Sequence, residues 1–137
     1  MLPKFHHPLR VRYADTDAQG HVYFSNYLTY ADEGLSAFMR HIGWSSARTQ
    51  TEGIDFVFAD ARSTYQSRSY FEDLLHVHVG VERIGTTSLV WQWTVHRPSD
   101  DTVLATGHLV QVCISSPEGE KTPLPDALKN DLTDWMI

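Results

Sequence analysis

Residues 25–43 read SNYLTYADEGLSAFMRHIG. Leu28, Ala31, Leu35, Phe38, Met39 and Ile42 recur at three- and four-residue steps, with Asp32, Glu33, Ser36 and Arg40 between them. That period predicts an amphipathic helix of about four turns with one buried face. Ser25 can supply an N-cap oxygen, and Gly43 can take the left-handed conformation just past the helix end. Gly34 inside the pattern costs about 1 kcal/mol of helix propensity relative to Ala. A close approach of the helix to a sheet would offset it.

On either side of this helix the period changes to two. Leu9–Tyr13 reads as a short strand running into a turn at Ala14–Gly20, where Asp15, Asp17 and Gly20 are turn formers. Downstream, Ile54, Phe56 and Phe58 alternate with Val57, Ala59 and Ala61. Val77, Val79 and Val81 alternate against His76, His78 and Glu82, and Leu89, Trp91, Trp93 and Val95 against Gln92, Thr94 and His96. Val103–Ser115 is another β-like run. Ile84–Thr87 and Pro98–Asp101 are turn signals, and such short connections favour antiparallel hairpins. Leu128, Leu132 and Trp135 suggest a short helix after Pro125. One long helix among four or five strands is an α+β pattern, in which a sheet and a helix bury one face of each other. The far face of the sheet should be semi-polar. Its open edge should be covered or paired, which predicts a dimer joined edge to edge.

The 137 residues suit one domain, 1–137, and 42% apolar content is enough for one core. Seventeen Asp and Glu against eleven Lys and Arg give a net charge of −6, the wrong sign for a nucleic-acid partner. Cys113 has no cysteine to pair with, which points to a reducing compartment. The start of the chain lacks a signal-peptide run, and no segment approaches the length of a membrane span. The expectation is a soluble cytoplasmic protein.

The chemistry concentrates at residues 13–27, YADTDAQGHVYFSNY. Two carboxylates, Asp15 and Asp17, precede a glycine turn and then a helix N-terminus. The first helical amides lack intrahelical acceptors and carry partial positive charge, so they can polarise a carbonyl oxygen. A carboxylate beside that oxygen can attack the carbonyl carbon or take a proton from water. Spacing alone leaves a second reading open, in which both Asp residues serve only the turn and the cap.

The same segment closely resembles the signature of the 4-hydroxybenzoyl-CoA thioesterase family within the hot-dog superfamily. Tyr13, Asp15, Asp17, Gly20, Val22, Asn26 and Tyr27 fall at the signature positions, and Tyr30 and Asp32 continue the match into the helix. The resemblance implies a hot-dog fold, a five- to six-stranded antiparallel sheet wrapped around one long central helix. It implies hydrolysis of an acyl-CoA or acyl-carrier-protein thioester without a cofactor, in a homodimer or homotetramer with sites at subunit interfaces. Asp17 then acts as nucleophile or general base, and the Phe24 N–H polarises the thioester carbonyl. Tyr13, Gly20, His21, Tyr23, Asn26 and Tyr27 become the substrate-binding residues, with Asp15 a loop organiser. The family's basic cluster for the CoA pyrophosphate has no equivalent after the third strand, where Arg83 is followed by Gly85-Thr86-Thr87.

Other motifs carry weaker signals. His76-x-His78-x-x-x-Glu82 is half of a cupin metal motif, and a hairpin through Gly85–Thr87 would set His96 opposite His76. No second half follows, so no metal ligands are assigned, and His6-His7 reads as a solvated segment. Cys113, Trp91 and Trp93 read as core residues. There is no serine-hydrolase elbow and no phosphate loop. A non-catalytic acyl-CoA-binding module and a hydratase on the same fold are the competing functions. Retention of the whole Asp17 loop argues against both.

Overall fold

The computed structural model describes residues 2–137. In chain order it has strand β1 (Phe5–Arg10), a 3₁₀ turn at Tyr13–Asp15, helix α1 (Asn26–His41), helix α2 (Ser46–Thr51), strands β2 (Ile54–Tyr65), β3 (Leu74–Ile84), β4 (Ser88–Arg97) and β5 (Thr102–Ser115), and helix α3 (Asp126–Thr133). The strands form one five-stranded sheet in the order β1-β3-β4-β5-β2, antiparallel throughout. The expected α+β class holds.

Helix α1 spans 16 residues and lies on one face of the sheet. Its apolar stripe, with Ala31, Leu35 and Phe38 almost fully buried, meets Val77, Val79, Trp91 and Trp93. Gly34 is the point of closest approach. A Cβ there would sit 2.5 Å from Val77 Cγ1, so the glycine lets helix and sheet touch. Phe38 packs edge-on against Trp91, Phe5 and Trp135 at centroid distances of 5.3–5.4 Å. Trp91 donates its indole N–H to Gln111 Oε1 at 2.9 Å, which satisfies a polar group inside this apolar layer. Cys113 is buried, as expected of a small core residue.

Period two decides what each sheet face carries. Val77↔Val95, Val79↔Trp93 and Val81↔Trp91 pair on the helix face. His76↔His96 and His78↔Thr94 pair on the other, as the hairpin reading requires. Helix α3 forms where Leu128 and Leu132 predict it, with both leucines fully buried. Beyond it the tail runs along β3, where Val81 N–H donates to Trp135 O and Ile137 N–H to Val81 O. The tail therefore covers part of the β1-side edge. On the opposite edge β2 runs for 12 residues, with Val57, Phe58 and Tyr65 exposed.

Three local expectations change, and one short helix is added. The first strand lies at Phe5–Arg10, not Leu9–Tyr13, because Phe5–Arg10 pair with Val79–Leu74 while the Asp15 carboxylate curls Arg12–Asp15 into a turn. His6 and His7 are thus strand residues rather than a frayed lead, and His6 remains exposed. Ser25 makes no capping hydrogen bond, since its backbone is already helical (φ −70°, ψ −18°) and its hydroxyl is not presented as a cap requires. Helix α2 was not foreseen, because six residues are too few to show a helical period. Gly43 does adopt positive φ (+85°) after α1.

Candidate active site

The loop between the 3₁₀ turn and α1 is held by a buried carboxylate. Asp15 Oδ2 accepts from Arg12 N–H at 3.0 Å and from Tyr30 O–H at 2.8 Å, and Oδ1 accepts from Arg12 Nη2 at 2.9 Å. Its carbonyl oxygen accepts from Tyr23 N–H at 2.9 Å and from Asn26 Nδ2 at 2.8 Å. One residue thereby ties the turn to both the start and the second turn of α1. Burial pushes the Asp15 carboxyl up, but the Arg12 and Tyr30 hydrogen bonds outweigh it and hold the group below the usual carboxylate range. Burial and the Asp15 partner push the Tyr30 phenol well above its ordinary value.

A stability prediction follows from that sign. A carboxylate with a depressed folded pKa stabilises the fold fully above the unfolded value of about 3.9. The contribution disappears as pH falls through the folded value. Asp15→Asn should therefore cost about 1.5–3 kcal/mol at pH 7, the scale of hydrogen bonds to a buried charged group. The gap to wild type should narrow at pH 3. Urea denaturation at the two pH values measures it, and an equal gap at both would refute the charge-based account.

Asp17 lies two residues on, half-buried, where a bridge between Thr16 and Val22 closes a tight loop. Its N–H donates to His21 O at 3.0 Å, its carbonyl accepts from Gly20 N–H at 2.9 Å, and Oδ1 accepts from Gln19 N–H at 2.8 Å. Among the described residues Oδ2 has no donor. Gly20 needs its positive φ of +84° rather than space, since a Cβ there would meet nothing within 4 Å. His21 Nδ1–H donates to Val22 O at 3.1 Å, which leaves Nε2 as the free nitrogen of a half-buried ring.

The chain enters α1 through Tyr23, whose carbonyl accepts from Asn26 N–H at 2.9 Å. Among the described residues, nothing accepts from the Phe24 N–H. Tyr27 is buried and shares a 2.6 Å hydrogen bond with Ser69 Oγ. Burial pushes its phenol up in spite of that bond. Around the helix start, Tyr23 and Phe24 meet edge-on at 4.9 Å, and Tyr65 at the end of β2 lies 6.0 Å from Phe24 and 5.8 Å from Tyr27. Tyr13 stands apart from this group, 77% exposed, with its ring against Phe71.

The structure thus gathers Phe24, Tyr23, Asn26 and Tyr27 at one helix end beside the Asp17 loop. Sequence reasoning missed Tyr65 and Ser69. The aromatic density of Tyr65, Tyr70 and Phe71 in an otherwise polar stretch was the available signal. Tyr23, Phe24 and Tyr65 are exposed and in ring contact, an apolar patch of the kind that marks an interface or a binding groove, and Tyr70 is exposed on the same cleft as Tyr65. A cleft of about 480 Å³ opens beside Tyr65 and Tyr70, between Arg68 and Arg97. Arg97 is already held by Asp73 and Asp100 at 2.9 Å each, whereas the Arg68 side chain makes no ion pair among the described residues. A second cleft of about 440 Å³ runs between α1 and β2, with Leu35, Met39, Phe56 and Phe58 on its walls.

Residues 11–132 match the model of the thioesterase-like superfamily. An acyl-CoA thioester hydrolase of Escherichia coli O157:H7 is 26% identical over 124 residues, 90% of this chain and 92% of that one. A 1,4-dihydroxy-2-naphthoyl-CoA hydrolase of Thermosynechococcus vestitus is 27% identical over 119 residues, 86% of this chain and 81% of that one. Among solved structures, a 1,4-dihydroxy-2-naphthoyl-CoA thioesterase from Synechocystis superposes with a TM-score of 0.87 at 23% identity, covering 95% of this chain and 96% of its own. At that identity the superposition speaks to the fold alone.

Proposed function

Since the chain belongs to the thioesterase-like superfamily, we propose that it hydrolyses an acyl-CoA or acyl-carrier-protein thioester to a free acid and a thiol. The observation that supports this reading most is the Phe24 N–H, left without an acceptor among the described residues at the start of α1, beside a loop in which no described residue donates to Asp17 Oδ2. A thioester oxygen that accepts from Phe24 N–H has its developing negative charge stabilised by that amide and by the helix dipole. Asp17 then has two routes. It attacks the acyl carbon, expels the thiolate and forms an anhydride that water opens. Alternatively it takes a proton from a water that attacks directly, and passes it to the departing thiolate. Both give the same products and use the same placement.

Tyr23, Phe24, Tyr27 and Tyr65 offer ring faces and edges near the helix start, which favours an aromatic or medium-length acyl group. The named relatives hydrolyse acyl-CoA and 1,4-dihydroxy-2-naphthoyl-CoA thioesters, which agrees with this class. The finer 4-hydroxybenzoyl-type assignment rests on the residues 13–27 signature. Thiol release, followed with a colorimetric thiol reagent across aromatic and short-to-long aliphatic acyl-CoAs, tests the activity. Release with one or more of them supports it. No release from any CoA or acyl-carrier thioester would replace it with a binding role.

The same reading includes a homodimer that pairs β2 with its copy across the exposed edge. Val57, Phe58 and Tyr65 would be covered there, and the aromatic patch at the helix start would gain a second wall. Phe58→Asp should shift the protein to single-chain mass by light scattering. A dimer that persists in this variant would move the interface elsewhere.

A further inference from the structure

The face of the sheet turned away from α1 carries a cluster that the thioester chemistry does not use. Antiparallel register places His6 of β1 directly opposite His78 of β3, with His76 two residues along on the same face. The His6 and His76 rings stack at 4.2 Å with 15° between their planes, and His6 and His78 lie 5.2 Å apart. One nitrogen from each of the three falls within 4.8 Å of the other two. Separation in sequence hid this group, because β1 joins β3 only in the folded chain.

His78 has a defined tautomer. A carbonyl only accepts, so the 2.9 Å contact with Pro3 O makes Nδ1 the protonated nitrogen and leaves the lone pair on Nε2. That Nε2 is buried and has no partner among the described residues. Fixing one ring N–H on a backbone carbonyl is how a metal-binding histidine is oriented, with the other nitrogen facing the ion. We propose that His6, His76 and His78 bind one borderline transition-metal ion, of the Zn²⁺, Ni²⁺ or Cu²⁺ class, on the outer face of the sheet. Three imidazoles with no carboxylate among them suit these ions rather than Mg²⁺ or Ca²⁺.

A tetrahedral ion with Zn–N bonds of about 2.0–2.1 Å needs nitrogens roughly 3.4 Å apart. The nitrogens lie within 4.8 Å of one another, so binding would require the rings to draw together, and His6, the exposed member, has the most room to turn. His96 lies opposite His76 but turns its Nε2 onto Asp101 at 2.7 Å and stands outside the trio. The ion would join β1 to β3 and reinforce the His78–Pro3 contact, acting as a clamp on the N-terminal strand. It lies on the opposite face of the sheet from α1, so thioester turnover does not depend on it.

The test uses the full chain without a polyhistidine tag, at pH 7.5, with Zn²⁺ alone as the probe in calorimetric titration. One ion per chain is expected. His6→Gln and His76→Gln should each weaken binding at least tenfold, and His41→Gln, on α1, should not. Zn²⁺ should also raise the Tm of wild type but not of His76→Gln, and should slow amide exchange in Phe5–Arg10. No uptake in the micromolar range would overturn the site. So would wild-type affinity in either His6→Gln or His76→Gln. Because His6 is exposed, its variant tests the site without disturbing the core.

Discussion

Asp17→Asn should lower thioester turnover by roughly 10²–10⁴-fold, the scale set by a positioned acid–base group, and leave the fold intact. Asparagine is nearly isosteric with aspartate and keeps an oxygen that can accept from Gln19 N–H, the bond that Asp17 Oδ1 makes now. The surrounding loop bonds run through backbone atoms, Asp17 N–H to His21 O and Gly20 N–H to Asp17 O, and the substitution leaves them in place. What disappears is the negative charge and the nucleophilic oxygen. Neither a direct attack nor removal of a proton from water survives that loss. Steady-state thiol release on the best acyl-CoA, with circular dichroism and light scattering as fold controls, measures it. A variant within threefold of wild type would remove Asp17 from the mechanism. An equal fall in Asp15→Asn would mean that loop geometry, rather than the Asp17 carboxylate, is what the assay reports.

Gly107→Ala carries the largest expected effect on stability. Gly107 sits on β5 opposite Trp93 of β4 and Ser63 of β2, in the middle of the sheet. A Cβ at this position would overlap the Arg62 carbonyl oxygen and come within 2.5 Å of the Trp93 ring. The first obstacle is backbone in a paired strand, and the second is a fully buried indole. Neither can retreat by a rotamer change, so β2 must pull away from β5 or Trp93 must leave its place beneath α1. Overpacking usually costs 1–3 kcal/mol, and with backbone as the obstacle about 3 kcal/mol or more is expected. In a domain of this size that lowers Tm by about 10 °C or more. A Tm within 3 °C of wild type would show that β2 moves freely at this point. Such freedom would weaken the proposed pairing of β2 with a second copy, because that pairing needs a straight, fixed edge.

Loop and helix were legible because their signals are local. The three- and four-residue spacing from Leu28 to Ile42 needs no knowledge of what lies across from it, and α1 forms there. The alternation at Val77–Val81 and Leu89–Val95 is equally local, and even the His76–His96 pairing followed from a short hairpin. Residues 13–27 put Asp17 and Phe24 within one short stretch of chain, so the loop and the helix start that carry them are read together. The weak points were also local in origin. Local pattern starts the first strand at Leu9, four residues after its true start at Phe5, because its backbone partners are on β3. Ser25 fits a capping position by composition, but a turn begun at Tyr23 removes the geometry a cap requires.

By itself, then, the amino-acid order determined the α+β class, the apolar stripe of α1, the inward and outward faces of β3 and β4, and the loop that carries Asp17. Periodicity and turn chemistry act over a few residues, which is why they can be read along the chain. Tertiary structure alone decided that Asp15 is buried between Arg12 and Tyr30, that Tyr65 joins the aromatic group at the helix start, that β2 is left as an open edge, and that His6 meets His76 and His78. Each of these depends on strand order and register between segments distant in sequence. Register is set by the summed packing of whole strands against α1, a property that no local stretch contains.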